Sequence, residues 1–533
     1  MMPDPSYRRL CNFVLPVPAC GLPGGVSSTD FLAPLQAGDW ERAIAFYRRL
    51  MEDLASPEAA LDNALACAFF RRGDDEEALH LIGSLVAREP AHPAWLNNLA
   101  VVSVLQGDYG PARGLLTRAA ALAADDVVAG EISCNRACLE HLSGNWDEAR
   151  LLLRRVLERQ PGNIRALYLR ARFAKELNRL DEAEECCRRL VALVPEEPEY
   201  RQNLGFVLLK KGKWEEGLEL FETRWQTGGR RLPHPGQLWR GESLVGKTLL
   251  VWAEQGLGDT LNFARFIPLL LPPASGRLVI AVQDSLRGLF ETSFPGGEVI
   301  SLAEREAVDF DFHLPLMSLP RLFRVRPERV IGSCPYLRVA ASVREAWRKR
   351  LAADGGAGGR QPRIGLVWNG NPKNAMDRGR SIPAREIAPL LQLPGIDYVV
   401  LLKEPRPEDL QLLRGLPPVS RDRIAVFSSE LESFQDTAAI LQGVDLLISV
   451  DTSVPHLAGA LGVPTWLMLA FDADWRWLTE REDTVWYPSL RLFCQPCPGD
   501  WESVLVRIRD ELREMAGGRS GLPQGAGRSI SER

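Results

Sequence analysis

A turn near residue 451 combines an acid, two hydroxyl groups and a histidine at the start of a predicted helix. The apolar run VDLLISV ends at Asp451, Thr452 and Ser453 follow, and Pro455 suits the first turn of the next helix. A helix N-terminus presents free backbone amides and the positive end of the helix dipole, so this turn is suited to bind a diphosphate. His456 lies in the same turn and could donate to that anion or to a sugar. The simpler alternative is a capped helix with a buried, hydrogen-bonded histidine.

A second candidate loop lies between the apolar run LLVWA and the helical pattern TLNFARFI. It contains Gln255, Gly256, Gly258 and Asp259. The glycines allow a tight turn, and the Asp259 carboxylate could take a proton from an acceptor hydroxyl or could cap the helix. A dinucleotide-binding fingerprint would have a third glycine where this chain has Leu261. We therefore disfavour an NAD-linked oxidoreductase.

A third loop follows the apolar run RIGLVW and contains Gly, Asn, Pro and three cationic residues, of which Arg380 is the best candidate for a functional role. We predict that Ser381 caps a helix that begins at Pro383, so that Arg380 borders a helix start. A loop cation that faces the Asp451 turn could neutralise a leaving diphosphate without a metal ion. The alternative is ordinary solvated charge on a loop.

Two further motif matches do not predict a site. The string from Gly241 to Thr248 matches a phosphate-binding loop, but it precedes a strand, whereas such a loop must follow a strand and open a helix. Cys494 and Cys497 have CxxC spacing without a second pair or a nearby histidine to complete a zinc site. We therefore expect neither ATP nor a metal at these positions.

The three loops lie in a region where strand-like apolar runs alternate with helical segments. Such alternation predicts parallel sheets covered by helices. We predict two α/β lobes, an N-lobe at residues 246–350 and a C-lobe at residues 360–515, with a hinge near 350–360. Ligands of such sheets bind outside the carboxyl ends of the strands, so the loops are expected to line a cleft between the lobes.

A different pattern occupies the first part of the chain. A small residue, two polar or aromatic positions, acids and then a small residue, usually Ala, recur every 34 to 37 residues. The six anchors of this pattern are Gly38, Gly73, Gly107, Gly144, Asn178 and Gly212. The anchor suits a tight turn between two helices, a neighbouring Asp or Asn could cap the second helix, the Ala allows close packing and a proline ends the unit.

This pattern resembles the tetratricopeptide repeat and covers residues 30–227 in six units. Residues 228–245 are predicted to be a linker. Residues 1–29 and 516–533 are predicted to be disordered.

The composition favours a cytoplasmic protein. The net charge is -5 without a basic block, which disfavours a nucleic-acid partner. No apolar run approaches the roughly 18 residues of a membrane span, and the first residues are not predicted to form a signal peptide. Ten cysteines in 533 residues do not form a disulfide framework and fit a reducing compartment.

The second half resembles the heptosyltransferase-like sugar transferases of glycosyltransferase family 9, which have the two-lobed GT-B fold. The Leu-Gly-Asp loop ending at Asp259 matches one family motif, and the DTSxxHLAGALG string from Asp451 to Gly462 matches the most distinctive one. The resemblance implies that Asp259 is the catalytic base. It also implies that the string, with Thr452, Ser453 and His456, holds the phosphates and sugar of the donor.

Two further positions follow from the same resemblance. Arg380 stands where the family has a basic residue, although Arg replaces the more usual Lys and Ile382 replaces a Trp. Glu404, after the run YVVLLK, matches an acid that binds the donor ribose. Repeats fused to a GT-B domain are also similar in architecture to protein O-GlcNAc transferases.

These observations predict an α-solenoid of tetratricopeptide repeats followed by a two-lobed, GT-B-like pair of Rossmann-type α/β domains. The expected function is a metal-independent, inverting sugar transferase that needs no cofactor and uses a nucleotide-diphosphate sugar as co-substrate. The repeats would dock a protein or peptide acceptor, or an assembly partner. The alternative is a non-catalytic repeat scaffold with a degenerate glycosyltransferase-like domain.

Overall fold

The computed structural model describes most of the chain and divides it into two compact units. The described residues are 8, 11–15, 33–35, 37–52, 59–270, 276–330, 332, 334–353, 361–373 and 377–516. The first unit, here called the repeat unit, comprises Met1–Ala174 and Asp181–Pro195. The second, here called the sheet unit, comprises Lys175–Leu180 and Glu196–Arg533. Within the described part of the chain, no helix is long and apolar enough to cross a membrane.

Helical hairpins follow one another through residues 40–221. Their helices are α1 Trp40–Glu52, α2 Ala59–Arg72, α3 Asp75–Arg88, α4 Pro93–Gln106, α5 Tyr109–Leu122, α6 Asp126–Leu142, α7 Trp146–Arg159, α8 Ile164–Glu176, α9 Leu180–Leu193, α10 Pro198–Lys210 and α11 Trp214–Phe221. The predicted anchors lie in the turns with left-handed backbone, for example Gly73 with φ 114° and Gly107 with φ 89°. Glycine adopts this conformation without steric cost, so the turn prediction is confirmed.

The small residue five positions after each anchor packs closely, as predicted. The prediction that a neighbouring Asp or Asn caps the second helix is wrong for several repeats. Ala78 and Ala112 are fully buried between helices. Asp74, Asp108 and Asn145 occupy the cap position without accepting a helix amide through the side chain. The backbone before these helices has ψ of 59° to 75°, outside the extended region from which a cap side chain usually reaches the helix.

The prediction of a disordered segment at residues 1–29 does not hold for residues 11–15. This short stretch hydrogen-bonds through its backbone to Asn98 and Asn135 of the repeat unit, and Phe13 and Val14 are buried. Sequence reasoning missed it because the stretch has no periodic pattern and its partners are distant in sequence. Apart from Arg8, the other residues of 1–29 lie outside the described residues, as do residues 517–533 of the predicted tail.

The N-lobe of the sheet unit is built on four parallel strands. Its elements are β1 Thr248–Trp252, α12 Leu257–Phe263, β2 Arg277–Val282, α13 Asp284–Ser293, β3 Glu298–Ser301, β4 Phe312–Pro315, α14 Leu319–Leu322 and α15 Ala341–Ala353. The strand order is β3-β2-β1-β4. The chain therefore reverses its direction of winding between β1 and β4, which places a switch point where β1 ends.

The C-lobe is built on six parallel strands. Its elements are β5 Arg363–Val367, α16 Asp377–Arg380, α17 Ala384–Leu391, β6 Asp397–Val400, α18 Pro407–Gly415, α19 Pro418–Arg421, β7 Ile424–Val426, α20 Phe434–Leu441, β8 Leu446–Val450, α21 Ser453–Leu461, β9 Thr465–Leu469, β10 Leu490–Cys494 and α22 Trp501–Ala516. The order β10-β9-β8-β5-β6-β7 is that of a doubly wound Rossmann fold, with its switch point between β5 and β8. The predicted fold class, a helical repeat region followed by two Rossmann-type lobes, is confirmed.

The boundary between the repeats and the sheets differs from the prediction. The last hairpin, α10 and α11, belongs to the sheet unit, where Trp214 stacks on Trp486 with ring centroids 5.2 Å apart. Arg224 follows this hairpin and forms a buried two-point ion pair with Glu254, at 2.8 and 2.9 Å. The predicted linker also packs on the N-lobe, because the amide of the buried Trp239 donates to a carbonyl of β4 at 2.9 Å.

Candidate functional site

The Asp451 turn lies at the carboxyl end of β8, beside the switch point of the C-lobe. Thr452 is the N-cap of α21, and its hydroxyl accepts the amide hydrogen of Val454 at 3.4 Å. Asp451, Thr452 and Ser453 are all partly exposed. The structure therefore places a capped helix N-terminus where a doubly wound sheet binds its ligand.

Asp451 is held by two neighbours from different loops. Its Oδ2 accepts the indole hydrogen of Trp477 at 2.9 Å, and its backbone carbonyl accepts from Nη1 of Arg380, also at 2.9 Å. Burial, followed by repulsion from the Asp474 carboxylate, raises the pKa of Asp451 to about 6. A carboxyl group with this pKa carries little negative charge in mildly acidic solution, where a neighbouring diphosphate would meet less repulsion.

His456 has the contacts of a buried packing residue. Its Nδ1 lies 3.1 Å from the hydroxyl of Tyr487, and its ring stacks on Trp477 with centroids 5.2 Å apart. Burial, and then the nearby guanidinium of Arg476, lowers the pKa of His456 well below its ordinary value, so the ring is neutral. These contacts match the simpler alternative from the sequence, and a donor-binding role for His456 stays a prediction.

The second loop follows β1 and leads into α12. Gln255 and Gly256 are exposed, and Gly256 occupies the N-cap position of α12. Asp259 is therefore not the N-cap: it lies in the first turn, and its Oδ2 accepts the amide hydrogen of Gly256 at 2.9 Å. Its Oδ1 accepts from Nη2 of Arg476. Burial raises the pKa of Asp259, and the Arg476 guanidinium opposes that rise.

Gly258 brings this loop against the Asp451 turn. A Cβ atom at this position would lie 3.0 Å from Cδ2 of His456 and 3.5 Å from Cα of Ser453. A side chain here would therefore push α12 and α21 apart. The glycine is required for the close approach of the two lobes rather than for a left-handed turn.

Arg476 is a site residue that the sequence analysis missed. It is 6% exposed, and its Nη1 donates to Asp474 at 2.8 Å while its Nη2 donates to Asp259. Burial opposes its charge, but the carboxylates of Asp474 and Asp259 keep the pKa of Arg476 above its ordinary value. A signal for this residue existed, because DADWRW follows the run PTWLML and so lies at the same edge of the sheet as the other loops.

Arg380 and Gly370 bring the third loop to the Asp451 turn. A Cβ atom on Gly370 would lie 2.8 Å from Oδ1 of Asp377, 3.1 Å from Nη2 of Arg380 and 3.3 Å from Cγ2 of Thr452. Nε of Arg380 lies 3.8 Å from Oδ1 of Asp377, which supports the guanidinium from its other side. Arg380 is thus fixed at the turn and Gly370 makes room for it, while a donor-binding role for Arg380 stays a prediction.

Ser381 does not cap the next helix. Its hydroxyl accepts from the amide of Gly370 at 3.1 Å and donates to Asp377 at 2.8 Å, whereas α17 begins at Ala384 with Pro383 at the cap position. The serine closes the Gly370 loop instead. The prediction failed because the loop folds back on β5 and supplies a nearer partner.

The remaining motif residues lie at opposite edges of the sheets. Glu404 is exposed after β6, at the same carboxyl edge as the Asp451 turn, and its role in binding a ribose stays a prediction. Lys247 immediately precedes β1 and pairs with Asp311 at 2.9 Å. The string that resembled a phosphate-binding loop therefore leads into a strand at the amino edge, as the sequence indicated.

The fold consists of helical repeats followed by two Rossmann-type lobes. Tetratricopeptide-repeat family models match residues 63–127 and 141–204. The chain is 27% identical to Protein FlbA of Caulobacter vibrioides over 491 residues, which are 85% of this chain and 72% of that protein.

Solved structures of two transferases align with about half of this chain. A glycosyl transferase family 9 protein from Veillonella parvula is 12% identical, covers 52% of this chain and 98% of its own, and gives a TM-score of 0.38. The ADP-heptose lps heptosyltransferase II of E. coli is 13% identical, covers 51% of this chain and 100% of its own, and gives a TM-score of 0.36.

Proposed function

We propose that the sheet unit is a glycosyltransferase that moves a sugar from a nucleotide-diphosphate sugar to an acceptor hydroxyl, with inversion and without a metal ion. The observation that supports this most directly is the meeting of the two switch points. Arg476 bonds Asp259 of the N-lobe, and the adjacent Trp477 bonds Asp451 of the C-lobe. Asp259 and the turn proposed to bind the phosphates are thus linked through two adjacent residues.

The donor diphosphate would bind at the start of α21. The backbone amides of the first turn and the Thr452 hydroxyl offer hydrogen bonds, and Arg380 supplies the positive charge. Because Arg380 already bonds the Asp451 carbonyl and approaches Asp377, little side-chain entropy is lost when it receives the anion. Glu404 would then lie at the edge where a ribose could be bound.

The transfer step needs a proton acceptor and a stabilised leaving group. The Asp259 carboxylate would take the proton of the acceptor hydroxyl while the new oxygen–carbon bond forms at the anomeric carbon. The bond from that carbon to the phosphate oxygen breaks, and its electron pair goes to the diphosphate beside Arg380. The acceptor hydroxyl must replace Arg476 at Oδ1, and the second bond of Arg476 to Asp474 would hold the guanidinium meanwhile.

A non-catalytic scaffold is the second candidate, and one observation favours it. Asp259 is already hydrogen-bonded to Arg476, and the absence of a side chain at Gly258 lets α12 lie directly against α21. A domain that had lost its donor would be expected to fill its cleft in this way. The repeats would then supply the whole function by binding a partner.

Donor binding separates the two candidates. UDP-, GDP-, ADP- and CMP-sugars are tested for a rise in melting temperature, since a bound ligand stabilises the native state. For the sugar that binds, calorimetry on Arg380→Ala is expected to show a loss of about 10- to 100-fold in affinity, because charge-assisted hydrogen bonds contribute about 1.5–3 kcal/mol. The exposed Arg385, one residue into α17, provides the matched control Arg385→Ala, which should bind normally.

Asp259 is tested separately by donor hydrolysis. Asp259→Asn should bind the nucleotide sugar yet lose turnover, whereas retained turnover would remove Asp259 as the base. If no nucleotide sugar stabilises the wild-type protein, the scaffold is the better account.

A further inference from the structure

The stretch of residues 11–15 is held in the repeat unit by asparagine side chains. We call them the asparagine ladder: Asn63, Asn97, Asn98 and Asn135. The amide of Val14 donates to Asn98 Oδ1 at 2.8 Å, and Asn98 Nδ2 donates back to the Val14 carbonyl at 3.0 Å. In the same way, the amide of Asn12 donates to Asn135 Oδ1 at 3.0 Å, and Asn135 Nδ2 donates to the Asn12 carbonyl at 2.7 Å.

These contacts are to backbone groups of alternate residues. In an extended chain alternate residues face the same side, so two-point bonds at positions 12 and 14 hold one edge of a strand-like segment. A side-chain amide has an oxygen that accepts and an NH2 group that donates two hydrogens, so it can bond both the N–H and the carbonyl of a residue and still donate to a neighbouring amide. The ladder therefore holds this segment through its backbone groups.

The members of the ladder are buried beneath the segment and are hydrogen-bonded to one another. Asn135 donates to Asn97 at 2.8 Å, Asn97 to Asn98 at 2.9 Å, and Asn98 to Asn63 at 2.6 Å. The four side chains are no more than 1% exposed. These bonds hold the amides at fixed orientations, and a buried amide left without its remaining partners costs about 1–3 kcal/mol.

The repeat itself generates the spacing. Asn63, Asn98 and Asn135 come from α2, α4 and α6, the first helices of successive hairpins, and lie 35 and 37 residues apart in the chain. This spacing equals the repeat length, so the same helix face presents an asparagine each time. A core position would be expected to hold an apolar residue instead.

Side-chain pockets flank the backbone contacts. Phe13 is 7% exposed and stacks on Phe70 with centroids 4.9 Å apart. Arg71 donates to Oδ1 of Asn12 at 2.8 Å, and Cys11 is buried. The groove thus accepts an aromatic residue between the two residues whose backbone it grips.

We propose that the asparagine ladder is a binding site for an extended polypeptide, and that residues 11–15 are its intramolecular occupant, which a protein partner must displace. The inference takes up the expectation from the sequence that the repeats dock a protein, and it rests on the proposed function only for the partner's role as an acceptor. A segment of the same chain competes at an effective concentration on the order of millimolar, so the occupied groove admits only partners that bind well or at high local concentration.

A synthetic peptide tests both parts of the proposal. A fluorescent peptide with the sequence of residues 8–18 and Cys11→Ser is titrated, with anisotropy as the readout, into the full chain and into a chain that lacks residues 1–18. We expect the shortened chain to bind at least tenfold more tightly than the full chain. Asn98→Ala or Asn135→Ala in the shortened chain should each cost at least tenfold. The matched control Asn163→Ala, at the turn before α8, should cost nothing.

A proline substitution tests the backbone contact itself. Val14→Pro in the peptide removes the amide that donates to Asn98 and should abolish binding, whereas Val14→Ala keeps the amide and should cost little. If the shortened chain unfolds, Val14→Pro in the full chain frees the groove without truncation and should increase peptide binding. No peptide binding by any folded variant would overturn the site, and equal binding by the full and opened chains would overturn self-occupation.

Nucleotide-sugar binding in the same variants keeps this inference separate from the proposed function. The shortened chain and the Val14→Pro chain should bind the nucleotide sugar as the full chain does, because the ladder and the Asp451 turn belong to different units. Peptide binding without any donor binding would leave the ladder site standing and remove the glycosyltransferase. Donor binding without peptide binding would do the reverse.

Discussion

Asp451→Asn should change how the stability of the protein depends on pH. In the folded protein the pKa of Asp451 rises from its ordinary 3.8 to about 6, chiefly through burial of a side chain that is 19% exposed. The folded state therefore holds the proton more tightly than the unfolded chain does. The resulting stabilisation is fully present below about pH 4 and is lost as the pH rises to about 6.

The size of the effect follows from the shift. A rise of about two pH units in the pKa corresponds to a loss of about 3 kcal/mol in the free energy of unfolding once the carboxyl group is ionised. Asparagine cannot ionise, and its carbonyl oxygen can still accept the indole hydrogen of Trp477. Relative to the wild type, the variant should gain about 1 kcal/mol at pH 4.5 and about 3 kcal/mol at pH 7.5.

Urea unfolding of both proteins at several pH values measures this difference. All other titrating groups are common to the two chains, so they cancel when the variant is compared with the wild type at each pH. A stability difference that does not vary between pH 4.5 and 7.5 would refute the reasoning, as would a wild type that becomes more stable relative to the variant as the pH rises.

Two further substitutions test contacts within the sheet unit, each against a matched control by urea unfolding. Gly258→Ala should cost about 1–3 kcal/mol because its methyl group meets the facing helix, whereas Gly415→Ala has no atom within 4 Å and should cost little; equal effects would contradict the close approach. Arg224→Ala leaves Glu254 buried without its partner and should cost about 3–5 kcal/mol. Arg321→Ala breaks a pair whose partner, Glu219, is exposed, and should cost at most about 1 kcal/mol; a similar loss in both arginine variants would show that burial is not the cause.

The local parts of this structure could be predicted from the sequence. The anchors at Gly73 and Gly107 determine their turns because a left-handed backbone favours glycine. The run VDLLISV and the following Pro455 locate β8 and the start of α21. These features depend on residues a few positions apart, where periodicity and turn chemistry are informative.

The parts that could not be predicted depend on partners distant in the chain. Arg476 lies 217 residues from Asp259, and Asn135 lies 123 residues from Asn12. Each side chain taken alone is compatible with an exposed loop or an ordinary helix face, and only the folded topology brings the pairs together. The boundary at residues 196–227 was misplaced for the same reason, since the last hairpin has the repeat pattern but packs on the sheets.

The stacking of Trp214 on Trp486 decides where this chain can be cut. A fragment that starts at residue 228 would remove α10 and α11 and expose the apolar face that they cover, including Trp486, which is 1% exposed in the intact fold. An uncovered apolar face of this kind favours aggregation. A fragment that starts at Glu196 retains the hairpin and its buried tryptophan. Any exchange of the sheet unit between proteins therefore has to include this final hairpin.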